Sequence, residues 1–122
     1  MDNDSWVKNV LDLLWEFSSE EFQRRVWLEG RGPEVSSFIE AHCQFFDDQL
    51  ADKLIDMEWR QVGLTELQRD KLMQFRDALK NFNLHTPDSS RDQDILSDLT
   101  WPKNRQTAKA ALDEFAGSKW MA

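Results

Sequence analysis

Asp48, Asp52 and Asp56 recur at intervals of four residues, and on a helix that spacing stacks their carboxylates into one ridge. Like charges so placed destabilise an isolated helix by about 0.2–0.5 kcal/mol per pair. Lys53 and Arg60 are the nearby cations, and they project to other sides. Such a ridge attracts a cationic surface, although acidic faces also serve solubility. Trp59, with Ile55 beside it, falls among the aspartates, almost opposite Leu50, Leu54 and Met57, the expected core face. An aromatic ringed by carboxylates has the makeup of a binding anchor with an electrostatic rim. Tryptophan is mostly buried in folded proteins, so the competing expectation is that Trp59 fills a second interface inside the fold. Asp48, Asp52, Asp56, Ile55 and Trp59 are therefore the candidate partner-binding residues.

The remaining reactive side chains do not assemble into a catalytic pattern. His42 sits within the apolar series Val35, Phe38, Ile39 and Phe46, where a core histidine is expected. Cys43 is adjacent, but neighbouring helical residues point about 100° apart, so the two do not face each other, and a buried thiol is expected. Glu20-Glu21 could act as paired carboxylates, yet two glutamates opening a helix favour its dipole more simply. Asp92, Asp94 and Asp98 lack the glycine and terminal glutamate of a calcium loop and suit helix capping. The four glycines are scattered, each at a helix end, so no phosphate-cradling loop exists. No catalytic residue, metal ligand or cofactor is expected. Carboxylates converging from distant segments remain the one route to an enzyme.

These residues must be carried by helices. Leucine occurs 14 times, whereas Val, Ile and Thr together occur 12 times and Tyr is absent, a balance that favours helix over strand. The spacing predicts a first helix from Ser5 to Phe17 with Val7, Val10, Leu11 and Leu14 inward. Ser18 and Glu21 read as a capping box for a second helix ending at Gly30. Gly32-Pro33 opens a third, which bears Val35, Phe38, Ile39, His42 and Phe46 on one face. A break or new cap near Asp47-Asp48 leads to a fourth, closed by Gly63, the alternative being that the third and fourth run on as one long helix. Thr65 and Gln68 form a further capping box opening a fifth helix to Phe82, with Leu72, Phe75, Leu79 and Phe82 buried. Residues 83–90 have turn composition, a short helix spans Arg91 to Leu99, and the last runs from Pro102 to Phe115. Trp101, Ala108, Ala111, Leu112 and Phe115 lie in register there, and Gly117 stops the helix. The expected architecture is all-α: residues 1–122 form a single compact domain of six or seven short helices, an orthogonal bundle.

Charge is distributed unevenly. Residues 1–61 hold 6 basic and 14 acidic side chains, net −8, while residues 62–122 hold 9 of each. All of the excess acid thus lies in the first half. A net charge of −8 repels phosphate and disfavours direct nucleic-acid binding, and no basic stripe with stacking aromatics emerges. The acidic start, Met1-Asp2-Asn3-Asp4, is unlike a secretory signal, and no run approaches the roughly 20 apolar residues of a membrane helix. Cys43 is the only cysteine, so no internal disulfide or cysteine-based zinc cage forms, and a cytoplasmic location is expected.

The short domain, the acid ridge Asp48, Asp52 and Asp56 with Trp59, and the closing segment Ile95-Leu96-Ser97-Asp98-Leu99-Thr100-Trp101 before a final amphipathic helix resemble small, acidic, helical bacterial toxin-immunity proteins. The resemblance is one of architecture; those families share no invariant site, and no residue role transfers by matching. It implies a non-catalytic inhibitor that neutralises a cationic, nuclease-like toxin stoichiometrically through an acidic surface. The alternatives are a regulatory adaptor or anti-activator binding a host protein, and an enzyme with a dispersed carboxylate site.

Overall fold

The computed structural model describes residues 2–87 and 90–121, and the fold is all-α: seven helices and no strand among the described residues. Helix α1 (Asn3–Ser18) is capped by Asp2, whose carboxylate accepts from the Ser5 N–H, so it begins earlier than the Ser5 cap predicts. Helix α2 (Glu20–Phe22, continuing as a π-helical stretch Gln23–Leu28) is capped by Ser19 rather than Ser18. The Ser18 hydroxyl instead donates back to the Trp15 carbonyl. Gly30 closes α2 in the left-handed region, as expected.

The third helix starts later than predicted. Ser37 caps α3 (Phe38–Cys43, continuing as π-helix Gln44–Asp48), and residues 31–37 form an irregular connection bent at Gly32-Pro33. Val35 is consequently 94% exposed and Ile39 59% exposed, not core. The expected break falls at Gln49-Leu50, where Leu50 takes φ 48°. Helix α4 (Ala51–Lys53, π-helical Leu54–Glu58, then Trp59–Val62) ends at Gly63. The Thr65–Gln68 capping box forms with both bonds, at 2.9 and 3.0 Å, and opens α5 (Glu66–Leu84). Helix α6 (Asp92–Ser97) and α7 (Trp101–Asp113) complete the chain. Asp88 and Ser89, part of the predicted 83–90 loop, lie outside the described residues.

One apolar cluster draws on all seven helices, and α7 packs against both α1 and α5. Trp101 is its hub: fully buried, it meets the rings of Phe17, Trp27, Phe38 and Phe82. Its indole N–H donates to Gln23 Oε1 at 2.9 Å. The Gln23 amide donates to the Glu16 and Phe17 carbonyls, so this fully buried glutamine satisfies the end of α1 and the indole together.

Candidate protein-docking face

The predicted ridge is real in part. Asp52 and Asp56 share one side of α4, but Asp48 belongs to the end of α3, beyond the Leu50 turn. Nor is the pair free. Arg76 on α5 donates through Nη1 to Asp52 at 3.1 Å and to Asp56 at 2.8 Å, and through Nε to Asp77 at 2.9 Å. Lys80 adds a contact to Asp52 at 2.9 Å. The Arg76 side chain is only 9% exposed, so this guanidinium belongs to the packing between α4 and α5. Burial pushes the Asp52 carboxyl up, but the hydrogen bonds from Lys80 and Arg76 outweigh it and hold it below its ordinary value. Burial likewise pulls Arg76 down, and Asp56, Asp77 and Asp52 outweigh it and leave it raised. The ridge is an internal ion network.

The other two candidates are corrected as well. Ile55 is 0% exposed, a core residue beyond the reach of any partner. Met57, expected inside, is 72% exposed, and Leu50 is exposed too. The cause is the π-helical turn at Leu54–Glu58, whose i→i+5 bonds lengthen the turn and shift the buried face from Leu54 and Met57 to Leu54 and Ile55. Trp59 is half-buried against the core, and two cations stand over its ring. The Arg60 and Arg69 guanidinium carbons lie 4.9 and 5.7 Å from its ring centroid. Arg69 Nε also donates to the Ile55 carbonyl at 3.1 Å, tying α5 to α4 beneath the indole.

Some of the carboxylates that enter no ion pair among the described residues lie on α1 and α3. Asn9, Asp12, Leu13 and Glu16 of α1 face Gln44 and Gln49 across a concavity of about 270 Å³. Glu40 accepts from the Gln44 amide at 3.2 Å, and Asp48 stands one turn beyond Gln44. Among the described residues none of Asp12, Glu16, Glu40 and Asp48 takes part in an ion pair. Glu16 Oε1 accepts from the Trp27 indole at 2.8 Å and from the Ser36 hydroxyl, which fixes its carboxylate without neutralising it. On the Gln49 side, Trp6 Nε1 donates to the backbone carbonyl at 2.6 Å, and the side-chain Oε1 is enclosed without a hydrogen-bond partner. Acceptors therefore dominate this groove, which suits ammonium or guanidinium groups.

Of the five candidate partner-binding residues, Asp48 alone lies on a helix that flanks this concavity, and it is not among the lining residues. Asp12, Glu16, Glu40 and Gln44 were missed, although Asp12/Glu16 and Glu40/Gln44/Asp48 both carry a four-residue spacing. What no spacing supplies is the adjacency of α1 and α3.

The other reactive groups keep to structure. His42 lies half-buried between the Phe38 and Phe46 rings; burial pushes its imidazole down, partly opposed by Asp47. Cys43 is exposed, contrary to expectation, because α3 turns it outward. Glu20 pairs with Arg24 and Arg105, and Glu21 with Arg25. Asp92, Asp94 and Asp98 each accept backbone N–H groups, from Phe38, Arg91 and Thr100. Among the described residues no group of three or more His, Cys, Asp or Glu could hold a metal ion, and no helix is long and apolar enough to cross a membrane. Compared with family models, curated proteins and solved structures, the chain matches none.

Proposed function

We propose that this chain is a non-catalytic, stoichiometric protein-binding module of the immunity type, which neutralises a basic toxin domain by docking it on the groove between α1 and α3. The supporting observation is a polar concavity lined by Asp12 and Glu16 of α1 and by Gln44 of α3, with Glu40 and Asp48 one turn to either side of Gln44; none of the four carboxylates enters an ion pair among the described residues. Their position agrees with the charge split, since all four lie in the half that carries net −8. An acidic face of this kind steers a cationic partner, with association approaching about 10⁸ M⁻¹s⁻¹ at low salt and slowing as salt rises. Asp52 and Asp56 contribute less, because Arg76 and Lys80 already cancel their field.

The test compares two charge-neutralised proteins against basic proteins captured from the native cell at low salt. Asp12→Asn with Glu40→Gln and Asp48→Asn should slow association at least about tenfold at low ionic strength and flatten its salt dependence. Asp52→Asn with Lys80→Gln, which removes one charge of each sign from the α4/α5 network, should leave the association rate nearly unchanged. Equal effects from the two sets, or capture of no basic protein, would remove the groove as the docking site. Inhibition of the captured protein at one-to-one stoichiometry would distinguish an inhibitor from an adaptor.

A further inference from the structure

The connection between α2 and α3, Gly30–Ser37, is irregular yet tied down on both sides of Val35. Arg25 on α2 donates to Glu34 through both terminal nitrogens, at 2.8 and 3.2 Å, and to the Arg31 carbonyl at 3.1 Å. Its Nε is held by Glu21 at 3.0 Å. Gly32 sits beneath this guanidinium with φ 102°, and a Cβ there would fall 2.2 Å from Arg25 Nη1. Further along, Ser36 donates to Glu16, and Asp92 accepts from the Phe38 N–H at 2.9 Å. A segment so braced keeps its shape. Yet its central apolar side chain, Val35, is 94% exposed, and Ile39 on the first turn of α3 is 59% exposed.

Single exposed apolar residues are ordinary on a protein surface. Two further facts give this one a purpose. The backbone that carries Val35 is fixed in the free protein, so little ordering entropy is lost when a partner covers it. The loop is also continuous with the acidic groove, because the Glu16 carboxylate that lines the groove is the acceptor for Ser36. Glu40, which accepts from the groove residue Gln44, follows Ile39 directly.

We infer that Gly30–Ser37 is a preorganised binding loop whose Val35 enters an apolar recess on the same basic protein that docks on the α1/α3 groove, with Ile39 packing at the rim. The inference rests on the docking function proposed above and assigns the two surfaces different tasks. The groove sets how fast the partner arrives. The loop sets how long it stays, since burying a valine side chain corresponds to roughly ten- to a hundredfold in a dissociation constant. The partner must therefore pair an apolar recess with a cationic rim; an evenly basic surface would leave Val35 in water.

A photo-reactive benzoylphenylalanine at position 35 and kinetics on Val35→Asp, both with the full chain, test this. The probe is the basic protein captured at low salt from the native cell. The cross-linker should join to that same protein, and Val35→Asp should speed its dissociation at least about a hundredfold while changing association less than about threefold. Asp12→Asn with Asp48→Asn should do the reverse. Unchanged dissociation for Val35→Asp, or no cross-link at position 35, overturns the loop and leaves the groove standing if its charge variant still slows association. A cross-link and a dissociation effect with no response to the groove variants overturn the groove alone. Val35 is fully outside the core, so circular dichroism of Val35→Asp should match the parent and keep loss of folding out of the comparison.

Discussion

Arg76 Nη1 lies 2.8 Å from Asp56, and this one guanidinium holds three aspartates from two helices. Removing it leaves Asp52, Asp56 and Asp77 repelling one another, with Lys80 the one remaining ion-pair partner among the described residues. Each carboxylate is about half exposed, so water recovers part of the loss and the cost stays below that of a dry pair. Arg76→Met, which keeps the aliphatic stem, should destabilise the fold by about 1–3 kcal/mol in urea unfolding. Adding Asp56→Asn should cost less in that background than in the parent, because the two share one interaction. Additive losses would mean that α4 and α5 are held by packing alone.

The helices were largely legible because their signals are local. Thr65–Gln68 closes its capping box as written, Gly30 and Gly63 end their helices, and Leu72, Phe75, Leu79 and Phe82 line the core. The failures share a different cause. Three helices widen into π-helical turns, and past such a turn the 3.6-residue period no longer marks the buried face, so Met57 and Ile55 exchange places. The surroundings of the candidate docking residues differ from expectation for another reason. Asp52 and Asp56 read as an open ridge because their partner, Arg76, lies 20 residues or more away in sequence. Asp12 and Glu16 carry no distinguishing signal in the sequence, because nothing there places α3 beside them. Charge surplus per half of the chain was visible; which carboxylates keep it depends on helix adjacency.

Trp59 separates a folding role from a binding role. Its ring is half-buried between Arg60 and Arg69, and Arg69 fixes the Ile55 carbonyl below it. Trp59→Ala should therefore lower stability by about 1–3 kcal/mol, through lost packing and two cation–π contacts. Partner dissociation measured at a temperature where both proteins are folded should change little. A stable Trp59→Ala protein with weakened binding would return Trp59 to the interface.

Leu50 adopts φ 48° with no glycine's freedom to do so. For a residue with a Cβ that conformation costs about 1–2 kcal/mol, and the half-exposed Leu50 side chain recovers only part of it by packing. Leu50→Gly should raise stability by about 0.5–1 kcal/mol despite the greater freedom of the unfolded chain. Thermal melting of the pair checks the sign. A lower melting temperature would show that the Leu50 side chain contributes more contact than its backbone loses in strain.

Glu34 reports on the brace beneath Val35. The hydrogen bonds from Arg25 hold its carboxyl at about 2, down from the ordinary 4.5. A carboxylate with a depressed folded-state pKa contributes stability that is present above about 4.5 and is lost as pH falls through about 2. Amide hydrogen exchange at Arg31–Ser36, corrected for its intrinsic pH dependence, should thus keep its protection from pH 7 to about 4 and lose it on the approach to 2. The Glu34 side-chain carbon shift should titrate over that low window, and in Glu34→Gln the protection should already be reduced at pH 7. A midpoint near 4.5 would mean that Arg25 does not grip Glu34 in solution. Val35 would then sit on a loose segment and owe the partner an ordering cost, which is the opposite of a preorganised plug.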